Sequence, residues 1–250
     1  MRRLVVLGCM LLALPALAHA AGNPVADAAR KSAAAGSWTF QVSATTTLRG
    51  GGKAVMTGTG AATATRARIS MRTRIQGQTV EAEGIVVRER GEHSLYVRMP
   101  GFAQLPSGKR WVRLDLSAAR SQQGVDVMSL LNTPEALLLF EKGLVSVTRV
   151  GSEVVAGKPT TRYRAVVDHR RAARLVPGYA AQHALLERSF GARISRTPYD
   201  IWVGGDGRFR RVRFALETNV GRLEHTTTFL SFGGSVRISL PPASEVFSLP

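Results

Sequence analysis

Four histidines lie beyond residue 20: His93, His169, His183 and His225. Imidazole is the common general base and metal ligand near neutral pH, so their spacing is where chemistry would show first. No two stand one helical turn apart, and no His-Glu-x-x-His occurs, so the chain carries no zinc signature. His183 falls on an amphipathic helical stretch, which suits a solvated or capping histidine. His225 sits mid-strand between Glu224 and Thr226. Glu81 and Glu83 share one strand face, where they could work as an acid–base pair or lie as surface charge beside Arg72 and Arg74. Asp206, before Gly207, is a turn residue. There is no Gly-x-Ser-x-Gly elbow and no phosphate loop. Gly58-Thr59-Gly60 lacks a third glycine and a following helix, and reads as a strand with close backbone packing. No catalytic residue, metal or cofactor is expected; an enzyme would need a cluster assembled only by the fold.

The one cysteine, Cys9, lies in a leader. Arg2-Arg3, an apolar run over 4–17 and Ala18-His19-Ala20 form the charged, apolar and small-residue parts of a secretory signal, with cleavage expected after Ala20. The run is too short to span a bilayer, which takes about 20 apolar residues. Val6-Leu7-Gly8-Cys9 looks like a lipoprotein box, but the apolar core continues past it through Leu12, so lipid anchoring there is not expected. Residues 21–250 then hold no cysteine, which excludes disulfides and thiolate chemistry. They form one expected domain, exported to the cell envelope, periplasmic or extracellular. Lys and Arg number 34 against 17 Asp and Glu, a formal charge of +17. Such charge draws an exported protein to anionic membrane surfaces. Export, and arginines scattered along the chain rather than gathered in a motif, argue against nucleic acid.

The pattern around these residues is mostly β. Asn23 and Pro24 open a short Ala-rich helix ended by Gly36. Trp38, Phe40, Val42 and Ala44 then alternate with polar residues, the period of a half-buried strand. Strands over 53–60, 61–75, 80–88, 93–99 and 111–116 follow with short turns. Residues 126–142 read as two short helices, the second capped by Thr133 with Pro134 at its first position. Strands resume over 144–150, 153–155 and 160–168. A second helical insertion spans 169–192. Strands over 199–203, 208–218, 222–230 and 235–240 close the sheet, and Pro241-Pro242 ends it. The expected class is α+β: a single strongly curved antiparallel sheet of about ten or eleven strands, with helices packed on one face. Runs apolar on both faces, such as Ile85-Val86-Val87 and Ala165-Val166-Val167, suit either an ordinary core or an apolar gap between sheet and helices.

Several segments, in order, resemble a known family. They are Leu105-Pro106-x-Gly108-Lys109-x-Trp111-Val112-x-Leu114-Asp115-Leu116, then Val150-Gly151-x-Glu153-x-Val155-x-Gly157-x-x-Thr160-Thr161-x-Tyr163 with Val167-Asp168. Pro198-Tyr199-Asp200-Ile201-Trp202-Val203, Asp206-Gly207, Phe232-Gly233 and Pro241-Pro242 complete the series. This order is similar to the LppX/LprAFG-type actinobacterial lipoproteins, relatives of the LolA-like lipoprotein carriers. The resemblance implies a half-barrel sheet with helices over its concave face, enclosing an apolar cavity. It implies non-catalytic binding of acyl chains of envelope lipids, glycolipids or lipoproteins, for transport or presentation. Family members are usually anchored at a cysteine after the signal, and this chain has none there.

On that reading the cavity lining is expected from inner strand faces and helices: Ile69, Met71, Ile75, Val86, Leu95 and Val97 from strands, and Leu130, Leu131, Leu138, Phe140, Leu186 and Phe190 from the insertions. Alternation alone does not tell the two faces of a strand apart. The Phe102–Leu105 loop is either a cavity mouth or membrane contact, or an ordinary hairpin loop. The alternative is an envelope protein–protein interaction or sensor module that uses the same fold without a lipid.

Overall fold

The computed structural model describes residues 22–89, 92–101, 105–115, 134–176, 179–191 and 193–248. The expected leader, the Thr133 cap, Phe102, Leu130 and Leu131 lie outside them. In chain order the elements are α1 (Pro24–Ala33), β1 (Ser37–Leu48), β2 (Lys53–Thr63), β3 (Arg66–Ile75), β4 (Gln78–Glu89), β5 (Glu92–Arg98) and β6 (Trp111–Asp115). Then come α2 (Pro134–Lys142), β7 (Leu144–Val155), β8 (Lys158–Asp168), α3 (His169–Leu175), α4 (Tyr179–Phe190), β9 (Arg196–Gly204), β10 (Phe209–Glu217), β11 (Gly221–Phe232) and β12 (Val246–Ser248). Among the described residues no helix is long and apolar enough to cross a membrane.

α1 starts where its capping chemistry dictates. Asn23 Oδ1 accepts from the N–H of Val25 (3.1 Å) and of Ala26 (3.3 Å), and Pro24 takes the first helical position, where no N–H is needed. The strands form one open, curled sheet in the order β12-β6-β5-β4-β3-β2-β1-β11-β10-β9-β8-β7. Every pairing is antiparallel except β12 on β6.

Twelve strands stand where about ten or eleven were expected, and the differences have local causes. Residues 235–240 are not a strand. Val236 and Ile238 instead pack on Ile85, Val87, Tyr96 and Trp111, and Arg66 Nη1 donates to the Ile238 carbonyl at 2.9 Å. Pro241 and Pro242 offer no N–H to a ladder, and only beyond them does the chain re-enter the sheet as β12. β7 is one strand rather than two, because register shifts near Leu144 and Arg149 absorb its irregularity without ending it. The turn after β2 falls at Ala64-Thr65, where Thr63 Oγ1 accepts the Arg66 N–H at 3.0 Å, and not at Gly60. The second helical insertion is two helices, α3 and α4.

Register sorts the side chains onto two faces. On the inner face Trp38, Phe40, Val42 and Ala44 of β1 stand opposite Ala62, Gly60, Gly58 and Met56 of β2. On the other side of β1, Phe40, Val42 and Ala44 face Phe229, Thr227 and His225 of β11. Val25, Ala28 and Ala29 of α1, Leu137, Leu139 and Phe140 of α2 and Ala172 of α3 belong to the same buried cluster as Trp38 and Phe40. The two-faced apolar run Ile85-Val86-Val87 is thereby explained. Val86 packs with Leu95 on the inner face, while the 235–240 segment covers Ile85 and Val87 on the outer one.

The Gly58-Thr59-Gly60 reading also has its reason here. A Cβ on Gly60 would overlap the buried Phe40 ring and come within 2.7 Å of the Arg68 carbonyl oxygen. Gly60→Ala should therefore lower unfolding stability by about 1–3 kcal/mol through overpacking. Gly50→Ala, with nothing within 4 Å of its added carbon, should change little. Urea titration of both variants checks the contrast.

Candidate functional site

The inner face and the helices leave an apolar cavity of about 330 Å³ between them. β1 and β2 contribute Ala44, Ala54 and Met56, with Thr73 from β3. β10 and β11 contribute Val212, Phe214, Leu216, Leu223 and Phe229. α2 closes part of the wall with Leu137, Leu139 and Phe140. The Phe140 ring meets Tyr199 edge-on at 4.9 Å and Phe209 at 5.4 Å. A larger, shallow hollow of about 620 Å³ opens on the outer face beside Gln41, Ser43, Thr57, Thr59, Thr226 and Thr228. Met71, Ala82, Pro100 and the ion-paired Arg72, Glu81, Glu83 and Arg98 also line it, so it is a mixed, open surface rather than an apolar pocket.

Four polar aromatic side chains interrupt the apolar wall, beside the hydroxyls of Thr46, Thr73 and Thr227. Asp168 ends β8 and caps α3, its Oδ1 accepting the Arg171 N–H at 2.9 Å. That cap makes His169 the first residue of α3, and its N–H donates to the Ser195 carbonyl at 2.8 Å. Tyr179 opens α4, and Tyr199 lies on the inner face of β9 opposite Phe214 and Ala165. The three side chains meet: His169 Nδ1 is 2.6 Å from the Tyr179 hydroxyl, and His169 Nε2 is 3.2 Å from the Tyr199 hydroxyl. Burial holds the His169 imidazole neutral, pushing its pKa down to about 4, with His183 adding to the shift. Burial likewise raises both phenols above their ordinary range. The fourth of these rings is His225 on β11, stacked on Phe214 at 5.1 Å, with Nε2 2.9 Å from Thr227 Oγ1. Burial lowers its pKa to about 4 as well.

His183 departs from the solvated or capping expectation. It is buried and hydrogen-bonds the Ile194 carbonyl at 2.5 Å, while Glu187 accepts the Ile194 N–H at 2.8 Å. The pair clamps the chain on its way from α4 into β9. Glu81 and Glu83 do share one face, the outer one, but each is bound to arginine. Glu81 pairs with Arg72 at 2.8 Å, and buried Glu83 with Arg68 and with Arg98 at 2.7 Å. Among the described residues no three His, Cys, Asp or Glu side chains gather to hold a metal ion.

The sequence-predicted lining divides by place. Ile69, Met71 and Ile75 of β3, Val86 of β4, and Leu95 and Val97 of β5 all lie on the inner face. Ile69 and Val97 both stand opposite Gly84, and Val86 opposite Ala67 and Leu95. None of the six is part of the cavity wall: β4 and β5 stand further along the sheet, and β3 reaches the wall through Thr73, between Met71 and Ile75. Phe140 lines that wall; Leu138, its neighbour on α2, is half-buried and does not. The side chains of Leu186 and Phe190 on α4, like Leu130 and Leu131, are outside what the structure describes. Sequence reasoning missed His169, Tyr179, Tyr199 and His225. The available signal was alternation: Tyr199 with Ile201, and His225 with Thr227 and Phe229, keep step with inner-face neighbours.

Fold and cavity together define a curled antiparallel sheet with an apolar site against its inner face. No protein-family model and no curated protein sequence matches the chain. Among solved structures it is similar to the lipoprotein LppX of Mycobacterium tuberculosis, at 14% identity and TM-score 0.45, over 86% of this chain and 98% of that one. It is similar to LprF of Mycobacterium bovis, at 12% identity and TM-score 0.47, over 87% and 95%. It is also similar to a LolA superfamily protein of Nitrosomonas europaea, at 9% identity and TM-score 0.33, over 86% and 93%. These likenesses are ones of fold.

Proposed function

We propose that this is an exported, non-catalytic protein that takes acyl chains of envelope lipids, glycolipids or lipoproteins into the inner-face cavity, for transport or presentation. The helices act as the cover of a concave sheet. The observation that carries the reading is the cavity itself, about 330 Å³ and walled largely by Leu, Phe, Ala, Val, Ile and Met side chains. Hydrocarbon needs burial and dispersion, at about 0.8 kcal/mol per methylene, and no directional catalytic set. The leader expected over 1–20 would deliver residues 21–250 to the envelope without a lipid anchor. The charge of +17 would hold them near anionic headgroups.

Native mass spectrometry of the protein purified from its own envelope, followed by organic extraction, tests this. A co-purifying lipid of defined mass is expected. A bare protein that also takes up no phospholipid or fatty acid would leave the interaction-module reading in its place. Ala44→Trp supplies the matched control, since Ala44 faces the cavity opposite Met56 and His225. An indole that displaces even two methylenes should weaken acyl binding about tenfold, because 1.4 kcal/mol is a factor of ten. Circular dichroism should stay unchanged.

A further inference from the structure

The polar corner of the cavity has more hydrogen-bond donors than it can use. A neutral imidazole carries one N–H and one acceptor nitrogen, and each phenol carries one O–H. His169, Tyr179 and Tyr199 therefore bring three hydrogens to two contacts, His169 Nδ1 with Tyr179 and His169 Nε2 with Tyr199. In one tautomer the imidazole donates to Tyr179 and accepts from Tyr199, leaving the Tyr179 hydrogen over. In the other the roles exchange and the Tyr199 hydrogen is over. Among the described residues neither hydroxyl has another protein acceptor. Both phenols and the imidazole line the cavity, and all three are buried, so the surplus donor faces the ligand space rather than bulk water. A buried donor without an acceptor costs about 1–3 kcal/mol, which a ligand oxygen placed there would recover.

We infer that the Tyr179–His169–Tyr199 corner is a subsite for the carbonyl oxygen of a neutral acyl ester, so that the cavity selects esterified over ionised acyl chains. This rests on the acyl-chain reading above and narrows it. The chemistry follows from what surrounds the corner. Among the described residues the cavity wall holds no arginine or lysine. The groups that face His169 are Tyr179, Tyr199 and His183, with Asp168 and Glu187 on its flanks. Burial keeps the imidazole neutral there, so a carboxylate would enter a dry pocket without a countercharge. An ester carbonyl brings an acceptor and no charge. Its hydrocarbon arms then extend along Phe140, Phe214 and Val212.

The test uses the intact wild-type protein and three lipids of matched chain length: dioleoylglycerol, its di-ether analogue, in which the carbonyls are methylenes, and oleate. Each competes with a fluorescent naphthylamine probe. The di-ester should bind about fivefold tighter than the di-ether, the net worth of one hydrogen bond, and oleate should be the weakest. Tyrosine ¹³Cζ NMR locates the contact, with resonances assigned by single Tyr→Phe variants. The di-ester should move the Tyr179 or Tyr199 signal while the di-ether does not, with Tyr96 and Tyr163 as internal controls. Equal binding of di-ester and di-ether overturns the subsite and leaves the acyl-chain reading standing. An ester preference whose shifts fall only on Tyr96 or Tyr163 also overturns it. If no lipid displaces the probe, the acyl-chain reading itself fails.

Discussion

Acidification from pH 7 to 4.5 should remove about 5 kcal/mol of folding stability, a large part of what a domain of this size holds. The source is two of the buried histidines. His169 and His225 both have native pKa values lowered from 6.5 to about 4, in each case chiefly by burial. The unfolded chain therefore takes up protons near pH 6.5 that the native one refuses until near pH 4. Their stabilising contribution is complete above about pH 6.5 and disappears as pH falls toward 4, with a slope of about 1.4 kcal/mol per pH unit for each histidine. Asp168 and Glu153 also have lowered pKa values. Asp168 is held down chiefly by the Arg171 N–H, and Glu153 by the Trp202 indole N–H and then Arg162. Their losses begin only near ordinary carboxylate values, below most of the histidine window. Urea unfolding at half-unit pH steps reads the slope directly. His225→Leu, which puts a neutral apolar group beside Phe214, should remove about half of it whatever its effect on absolute stability. A pH-independent unfolding free energy between 6.5 and 4.5 would refute the account.

What the sequence disclosed, and what it withheld, follows from the range of the forces involved. The α1 cap needs only Asn23, Pro24 and the next two N–H groups, so it was legible from four adjacent residues. β1 was legible because one face is buried and the other wet, which forces alternation. Residues 235–240 misled for the same reason. Val236 and Ile238 alternate because they pack on an apolar face, yet no strand lies beside their backbone to form a ladder. Alternation reports burial and not hydrogen bonding. The cavity lining shows a second limit. A period of two placed Ile69, Val86 and Leu95 on one face, which the register agrees with, but it carries no information on which end of a twelve-stranded sheet the helices approach. The polar corner was the least legible part. His169 and Tyr199 stand 30 positions apart, and Tyr179 enters from a separate helix.

The arginine excess also has a different structural meaning from the one its count suggests. Much of it is spent in ion pairs on the outer face. Arg162 and Arg164 meet Asp200, Arg222 meets Glu217 and Glu224, and Arg68 and Arg98 share Glu83. The exposed ones among them, Arg222 with Glu217 and Glu224, add little to stability, with a median of about 0–1 kcal/mol. Their effect is to orient long side chains along the sheet face. A chain with twice as many cations as anions keeps that surplus under any pairing, so the proposed attraction to anionic surfaces would survive the network.

Phe140→Ala should cost about 3–5 kcal/mol, the usual range for emptying a buried aromatic site. α2 has nine residues, too few to be stable by helix propensity alone, so its side-chain anchors hold it in place. Phe140 is the largest of them, with its ring edge-on to both Tyr199 and Phe209. Those partners belong to β9 and β10, paired to each other and to flanking strands, so neither can move in to fill the gap. The void would instead merge with the existing cavity of about 330 Å³. Two consequences separate this from general loosening. Amide exchange should rise over 137–142 before it rises in β9 or β10. An acyl ligand, able to occupy the added space, should stabilise the variant more than the wild type, because binding to the native state adds RT ln(1 + [L]/Kd) to its stability. A loss below about 1 kcal/mol would mean that Leu137 and Leu139 suffice to hold α2. A full loss with no ligand rescue would mean that the space beside Phe140 is not continuous with the proposed acyl site.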